Sequence, residues 1–188
     1  AQDMDGQALE REIDAAIRRG DGVPLRTALD DAGWGSAKRV QCDPARYLGY
    51  LEAHIEQGAE LFLSGDRIGI VKAIVGSHRF RILFEGMQNH AGTTRMARRK
   101  DAGVALVRLA TAINDRFAAL GNERTVWTTG QITLDPGSPS IVPGKGEMVF
   151  QFRDTDPELL AKLDIELNAL IAEAAEGPCK VTLVTTGI

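Results

Sequence analysis

Hydrophobic residues recur at helical spacing in four stretches of the chain. Apolar positions three or four residues apart share one face of a helix, so this spacing predicts a helix that packs on one side. Proline at the first helical position and aspartate as N-cap strengthen the second and fourth predictions. The predicted helices cover residues 7–19, Pro24 to near Gly33, 101–120, and Pro157 to Gly177 with Asp156 as cap.

Alternating apolar and polar residues predict strands, because successive side chains of a strand point to opposite faces. Such strands are predicted at residues 51–56, 79–85, 126–134, 148–152 and 180–185, and the continuous apolar run at 68–75 predicts a strand buried on both faces. From residue 79 the order is strand, helix, strand, strand, helix, strand. That βαββαβ order predicts a ferredoxin-like α+β fold, a four-stranded antiparallel sheet with two helices. Residues 1–75 are predicted to be an incomplete α/β segment and 76–188 a complete domain.

The net charge argues against two classes of partner. The 188-residue chain has a formal net charge of -4, whereas nucleic acids and anionic membranes require a dense basic surface. No apolar run approaches the roughly 20 residues that span a bilayer, and the first residues lack a basic and then apolar leader, which predicts a cytoplasmic protein. Cys42 and Cys179 are too far apart to indicate a disulfide framework or a paired zinc site. The absence of an initiator Met and the acidic opening predict a piece cut from a longer chain.

Three segments carry candidate chemistry: HIEQG at 54–58, NHAGTT at 89–94, and SIVPGK at 140–145, which leads to Arg153. On the predicted strand 51–56, His54 shares a face with two carboxylates, so it is either a metal ligand or an ordinary polar residue. His90 lies between a strand and a helix, where backbone donors bind anionic groups; the alternative is a loop histidine with Thr93 or Thr94 capping the helix. Arg99 and Asp101 follow NHAGTT closely in MARRKDA and are grouped with that segment, whereas the default interpretation of Arg98, Arg99 and Lys100 is a solvated basic run.

In this order and spacing, YLEAHIEQG, IGIVKAIVG, GMQNHAGTTRMARRKDA and IVPGKGEMVFQFRDTD resemble the M20-type amidohydrolases of the hydantoinase/carbamoylase group, which hydrolyse N-carbamoyl-L-amino acids, β-ureidopropionate and allantoate. The resemblance implies a catalytic-domain segment at 1–75 and a lid and dimerisation domain at 76–188. It also implies two divalent metal ions, zinc or manganese, with cobalt or nickel as further candidates. The implied partners are a carbamoyl or ureido substrate with a carboxylate and a second copy of the chain.

By this resemblance His54 is a metal ligand and His90 is catalytic, donating a hydrogen bond to the substrate carbonyl as it becomes an oxyanion. Arg153 is expected to bind the substrate carboxylate. The alternative without a functional role is a surface ion pair with Asp154 or Asp156. Asn89 is expected to position the loop. The other ligands and the general base of such enzymes lie outside this sequence, so the chain alone is expected to be inactive.

Four positions depart from the family pattern. The resemblance places a family Gln at His78, a family Asn at Ser140, and family prolines at Arg95 and Ala59. Because His78 and Ser140 stand where substrate contacts are expected, the substrate could differ from that of any named member.

Three other readings remain open from the sequence. One is a dimerisation module without catalysis, since an exposed sheet edge can pair across a two-fold axis. An RNA-binding sandwich has the same element order but would need aromatic residues and a basic sheet face. The strand EMVFQFRD has no Gly-Phe signature and the net charge is negative, which disfavours this reading. A ligand-sensing regulatory domain would leave HIEQG and NHAGTT without a role.

Overall fold

The computed structural model describes residues 6–18, 20–38 and 43–187; Cys42 lies outside them. The chain divides into two compact units, residues 1–60 and 61–188. The domain boundary expected between residues 75 and 76 stays a prediction.

The first unit contains the two predicted N-terminal helices. Helix α1 spans Gly6–Ala15 and α2 spans Leu25–Asp31, followed by a 3-10 turn at Pro44–Arg46. Arg26 of α2 joins the two helices, because its guanidinium contacts the carboxylates of Glu10 at 2.5 Å and Asp14 at 2.8 Å. Helix α1 ends earlier than predicted, since Ile17 turns into an isolated β-bridge with Pro24.

The strands predicted at 51–56 and 68–75 are not present, and that prediction was wrong. Both segments lie outside any helix or strand and are exposed: Leu51 is 97% and Ile70 is 87% accessible to solvent. A strand requires a neighbour for its backbone N–H and C=O groups, and in the described part of the chain no strand pairs with either segment. Alternation of apolar side chains does not supply those hydrogen bonds.

The short helix α3 starts at Glu60, the last residue of the first unit, and continues into the second unit. The central element of the second unit is a four-stranded sheet with strand order β3-β5-β1-β6, and each neighbouring pair is antiparallel. Two helices and a small separate β2–β4 pair complete it. This is the predicted ferredoxin-like fold; β2 and β4 were not predicted. The elements are α3 (Glu60–Ser64), β1 (Gly76–Glu85), β2 (Asn89–His90), α4 (Ala102–Leu120), β3 (Val126–Asp135), β4 (Ile141–Val142), β5 (Lys145–Asp154), α5 (Pro157–Ala175) and β6 (Lys180–Gly187).

The core lies between one face of this sheet and the two long helices. Phe117 of α4 packs edge-on against Phe150 and Phe152 of β5, with ring centroids 5.6 and 5.3 Å apart. All four predicted leucines of α5 are buried, whereas Leu120 at the end of α4 is 42% exposed. None of the helices in the described ranges is long and apolar enough to cross a membrane.

The opposite face of the sheet carries charged side chains. Arg81 of β1 binds Glu147 of β5 through two hydrogen bonds of 2.7 and 2.8 Å. This contact holds the pKa of the Glu147 carboxyl below its usual value, because the guanidinium stabilises the charged form. The two faces therefore differ: one is apolar and covered by helices, the other polar.

Candidate active site

Three of the expected site residues lie close together: Asn89 and His90 in one turn, and Ser140 beside it. Strand β2 pairs with β4, so Asn89 lies opposite Val142 and His90 opposite Ile141. The backbone N–H of Ala91 then donates to the carbonyl of Ser140 at 2.9 Å. We call residues 89–94 the His90 turn; the β2–β4 pair brings Asn89, His90 and Ser140 together although about 50 residues separate them.

The imidazole of His90 is exposed, and its tautomer is set by the turn itself. The backbone N–H of Gly92 donates to Nδ1 of His90 at 3.1 Å. A nitrogen that accepts a hydrogen bond carries a lone pair, so the proton of the neutral ring is on Nε2. His90 therefore carries an N–H donor at Nε2 on an exposed side chain.

Arg99 braces the same turn from the 3-10 segment that follows it. Its Nε donates to the carbonyl of Thr94 at 3.0 Å, and its second terminal nitrogen donates to the carbonyl of Ala91 at 2.5 Å. The interpretation of Arg98–Lys100 as a solvated basic run was wrong for Arg99, which is half-buried. The planar guanidinium has donors in two directions, which lets it bind both carbonyls at once.

The helix after the turn is capped by Asp101 and not by a threonine. The Asp101 carboxylate accepts from the N–H of Val104 at 3.0 Å. Thr94 instead closes the turn, because its backbone N–H donates to the carbonyl of His90 at 3.1 Å. The alternative in which Thr93 or Thr94 caps α4 is wrong.

Arg153 lies near the other end of the sheet, on its polar face. It is paired in register with Ser77 of β1. Both side chains carry a buried atom, Nε of Arg153 and Oγ of Ser77, that has no hydrogen-bond partner among the described residues. A terminal nitrogen of Arg153 donates a long hydrogen bond of 3.3 Å to the amide oxygen of Gln151.

The neighbouring carboxylate, Asp154, points to the opposite face and is 1% exposed. Its oxygens accept from Thr125 Oγ1 at 2.6 Å and from the N–H of Asp156 at 2.8 Å. Burial pushes the pKa of the Asp154 carboxyl up, but these hydrogen bonds, with Arg124 nearby, outweigh burial and lower it. In the described part of the chain Arg153 forms no ion pair with Asp154 or Asp156, so that bland alternative is not observed.

His78 lies on the helix-facing side of β1. Its Nδ1 is 2.7 Å from an Asp164 oxygen of α5, and its ring centroid is 5.2 Å from that of Phe152. The two atoms are close, but the geometry is not that of a hydrogen bond, and Nδ1 has no hydrogen-bond partner among the described residues. Its substrate role stays a prediction, and Ser77 is the neighbour that shares a face with Arg153.

His54, in the first unit, is exposed and has the opposite tautomer to His90. Its Nδ1 lies 2.6 Å from the carbonyl of Ile55. Because a carbonyl only accepts, Nδ1 carries the proton and Nε2 keeps a lone pair. Metal-ligating histidines commonly donate their second nitrogen to a carbonyl in this way. The predicted shared face with Glu52 and Glu56 is absent, and Glu52 accepts from the Tyr50 hydroxyl at 2.8 Å.

No group of three or more His, Cys, Asp or Glu side chains in the described ranges could hold a metal ion. Cys179 is buried, and burial, with the nearby Asp101 charge, raises the pKa of its thiol. His54 therefore suits one metal-ligand position, but no further ligands are grouped with it among the described residues.

The sequence-based predictions missed Gly92 and Ser77, and they named Arg99 with the NHAGTT segment without identifying what it binds. A signal existed for Ser77, because residues 77, 79 and 81 share a face by strand alternation. The role of Arg99 left no signal, since a guanidinium that binds backbone carbonyls leaves no pattern in the side chains around it.

Comparison with curated proteins finds relatives over most of the chain. It is 34% identical over 150 residues to an allantoate amidohydrolase of Bacillus subtilis, covering 80% of this chain and 36% of that protein. It is 33% identical over 172 residues to an N-carbamoyl-L-amino-acid amidohydrolase of Paenarthrobacter aurescens, covering 90% and 41%. The chain thus spans about two fifths of the length of these relatives. No family model matches it.

Among solved structures, an amidase of the hydantoinase/carbamoylase family from Burkholderia phymatum matches with a TM-score of 0.82 and 43% sequence identity. The match covers 95% of this chain and 44% of that one. The four-stranded sheet and its helices therefore match a ferredoxin-like lid. By sequence and by fold, the chain is a homologue of a segment of the hydantoinase/carbamoylase family amidases, as the resemblance of its motifs implied.

Proposed function

We propose that this chain is the lid-bearing segment of a metal-dependent amidohydrolase that cleaves a linear C–N bond in an N-carbamoyl amino acid, a ureido acid or allantoate. Its relatives are hydrolases of such substrates by name. The observation that carries the proposal is the Gly92–His90 hydrogen bond, because it leaves Nε2 of His90 as an outward N–H donor.

The proposed role of His90 is to stabilise the negative charge that develops on the substrate carbonyl oxygen. A fixed N–H donor is worth more in the transition state than in the ground state, where the oxygen carries less charge. The backbone of the turn is held at two points. Asn89, its first residue, pairs with Val142 of β4, and the N–H of Ala91 donates to the carbonyl of Ser140.

Arg153 is the proposed site for the substrate carboxylate. Its Nε and the Ser77 hydroxyl are buried without partners among the described residues, and an unpaired buried donor costs free energy until it is satisfied. A carboxylate offers two acceptor oxygens in a plane, which matches the planar donors of a guanidinium.

Divalent metal ions, zinc or manganese with cobalt or nickel as further candidates, are part of this proposal. His54 would supply one ligand through Nε2, whose lone pair is free because Nδ1 donates to Ile55. When bound, such ions supply Lewis-acid activation of water and of the scissile carbonyl. Because no ligand cluster is present in the described residues, we expect no hydrolysis by this 188-residue chain alone.

The positions of His90 and Arg153 favour a site shared between two copies. The His90 turn follows the end of β1 where Glu85 pairs with Lys145, whereas Arg153 pairs with Ser77 at the other end. Eight residue steps along β5 separate Lys145 from Arg153, about 27 Å at 3.4 Å per residue. A small ureido acid cannot span that length, so we propose that one copy supplies His90 and another supplies Arg153.

The edge of strand β3 is the proposed dimer surface. Strand β3 pairs with β5 on one side, and no strand of the described chain pairs with its other side. Val126 and Ile132 on this strand are 56% and 50% exposed. An exposed strand edge with apolar residues is suited to pair with the same edge of a second copy across a two-fold axis. A dimerisation module without catalysis would use the same surface, and this is the second candidate.

The test is hydrolysis of N-carbamoyl amino acids and allantoate by the full-length protein that carries this segment, with zinc or manganese and with a chelator. A shared site predicts complementation: His90→Ala and Arg153→Ala variants, each inactive alone, regain activity when they are mixed and allowed to exchange subunits. Mixed dimers hold one intact site and one doubly defective site. If the wild-type protein is active but the mixed variants recover no activity, the shared site is excluded. If the wild-type protein hydrolyses none of the substrates, the dimerisation module is favoured.

A further inference from the structure

The geometry points to a positioning role for Arg99. We propose that its guanidinium, by binding the carbonyls of Ala91 and Thr94 together, holds the His90 turn in the conformation that keeps the proton of His90 on Nε2. This inference rests on the proposed function only for its catalytic consequence, since the tautomer is a property of the chain itself.

The two carbonyls that Arg99 binds enclose Gly92. Ala91 precedes Gly92 and Thr94 follows two residues later, so fixing both carbonyls limits the rotation of the peptide that carries the Gly92 N–H. That N–H is the donor to Nδ1 of His90. The link from Arg99 to the imidazole therefore runs through the backbone, and Arg99 needs no contact with the ring.

Few other contacts among the described residues hold the part of the turn around Gly92. Gly92 and Thr93 are exposed, and the β2–β4 pair anchors the turn through Asn89, His90 and Ala91. Thr94 is fixed at its own N–H by the His90 carbonyl. The part between, where the Gly92 donor lies, depends on Arg99, because two charge-assisted hydrogen bonds are stronger than neutral ones.

Lysine could not replace this arrangement. Its ammonium is one point charge on a flexible stem, whereas the guanidinium has donors with fixed directions that reach two carbonyls. Arg99→Lys therefore keeps the charge and loses the geometry, and Arg99→Ala loses both. Arg98, which precedes it and is exposed, offers a matched control.

The experiment is NMR of the uniformly ¹⁵N-labelled 188-residue chain, in which His54, His78 and His90 are the histidines to assign. The readouts are the tautomer of His90 and the coupling across the hydrogen bond from Gly92 N to His90 Nδ1. We expect Nε2–H with a detectable coupling in the wild type and in Arg98→Ala. Arg99→Ala should lose the coupling and shift toward the tautomer mixture of a solvated imidazole, and Arg99→Lys should do so in part.

Backbone signals of β1 and β5 report whether each variant is folded; if Arg99→Ala is not, Arg99→Lys decides. An unchanged coupling in Arg99→Ala, or wild-type behaviour of Arg99→Lys, would overturn the proposal. In the active full-length protein, Arg99→Lys should lower kcat by about tenfold to a hundredfold with little change in KM. If the protein hydrolyses nothing, the proposed function fails while the NMR result still decides the role of Arg99.

Discussion

The backbone N–H of Gly92 donates to Nδ1 of His90 at 3.1 Å, and this bond decides which ring nitrogen of His90 carries a proton. His54 shows the reverse: its Nδ1 faces the carbonyl of Ile55 at 2.6 Å, so its Nε2 keeps the lone pair. The two hydrogen bonds thus leave an N–H donor on Nε2 of His90 and a lone pair on Nε2 of His54, which are the groups that their proposed roles require.

A methyl group at Gly92 should displace the imidazole. A Cβ there would lie 3.1 Å from Cε1 of His90, closer than side chains normally pack, and 3.4 Å from Nδ1. We expect Gly92→Ala to lose the bond to Nδ1 and to change the ¹⁵N shifts of His90, while thermal stability changes little because the turn is exposed. Gly130→Ala is the control, since nothing lies within 4 Å of the Cβ that this substitution adds. Equal His90 shifts in both variants would contradict the close approach.

Thr125→Ala should destabilise the fold by about 1.5–3 kcal/mol at neutral pH, the usual effect of losing a hydrogen bond to a buried charge. Thr125 donates to Asp154 at 2.6 Å, and both are buried. Urea unfolding measures the difference. A control such as Thr111→Ala, on the exposed side of α4, should change stability by less than about 0.5 kcal/mol.

The pKa of Asp154 gives this loss a pH dependence. Because its pKa is lowered in the folded state, its contribution is present above the unfolded-state pKa, near 3.9 for aspartate, and disappears as the pH falls through the lower folded value. The stability difference between the wild type and Asp154→Asn should therefore shrink as the pH falls below about 4. A difference that is constant from neutral to acidic pH would show that Asp154 is not the group responsible.

Leu163→Ala should cost about 2–5 kcal/mol, because Leu163 is completely buried between α5 and the sheet and its removal leaves a cavity. Ile165 lies two residues along the same helix but is 71% exposed. We expect Ile165→Ala to change the free energy of unfolding by less than about 0.5 kcal/mol. Similar effects of the two substitutions in urea unfolding would mean that α5 is rotated relative to the sheet.

Ile132→Lys should weaken self-association if the β3 edge is the dimer surface. A charged side chain at an exposed strand edge opposes pairing with another edge. Analytical ultracentrifugation should show a larger monomer fraction for this variant than for the wild type. Ile165→Lys, on the exposed side of α5, should leave the dimer unchanged. A wild-type chain that stays monomeric at high concentration would remove the proposed surface.

The sequence predicted the second unit well because its signals are local and agree with one another. Asp156 and Pro157 begin α5 as predicted, and the leucine spacing identified its buried face. The strand predictions at 51–56 and 68–75 failed for a physical reason, since a strand depends on a neighbour and alternation cannot supply one. Leu120 fits the spacing of α4 but lies at its end, beyond the reach of the sheet.

The candidate site was predicted in part. His90 and Asn89 were identified by resemblance and Ser140 by its motif, but their contact depends on the β2–β4 pair, which is too short to leave an alternating pattern. Arg99 resembled a solvated cation because its partners are backbone carbonyls, which no side-chain pattern reveals. Strand register, not composition, shows that Ser77 shares a face with Arg153 while His78 faces α5.

The most direct test of the central claim is the turnover of N-carbamoyl amino acids and allantoate by the full-length protein and its His90→Ala variant, with added zinc or manganese. If Nε2 of His90 stabilises the developing oxyanion, the variant should lose about a hundredfold to a thousandfold in kcat, while Arg98→Ala retains wild-type activity. Turnover by the wild type with an unchanged kcat in His90→Ala would contradict that claim.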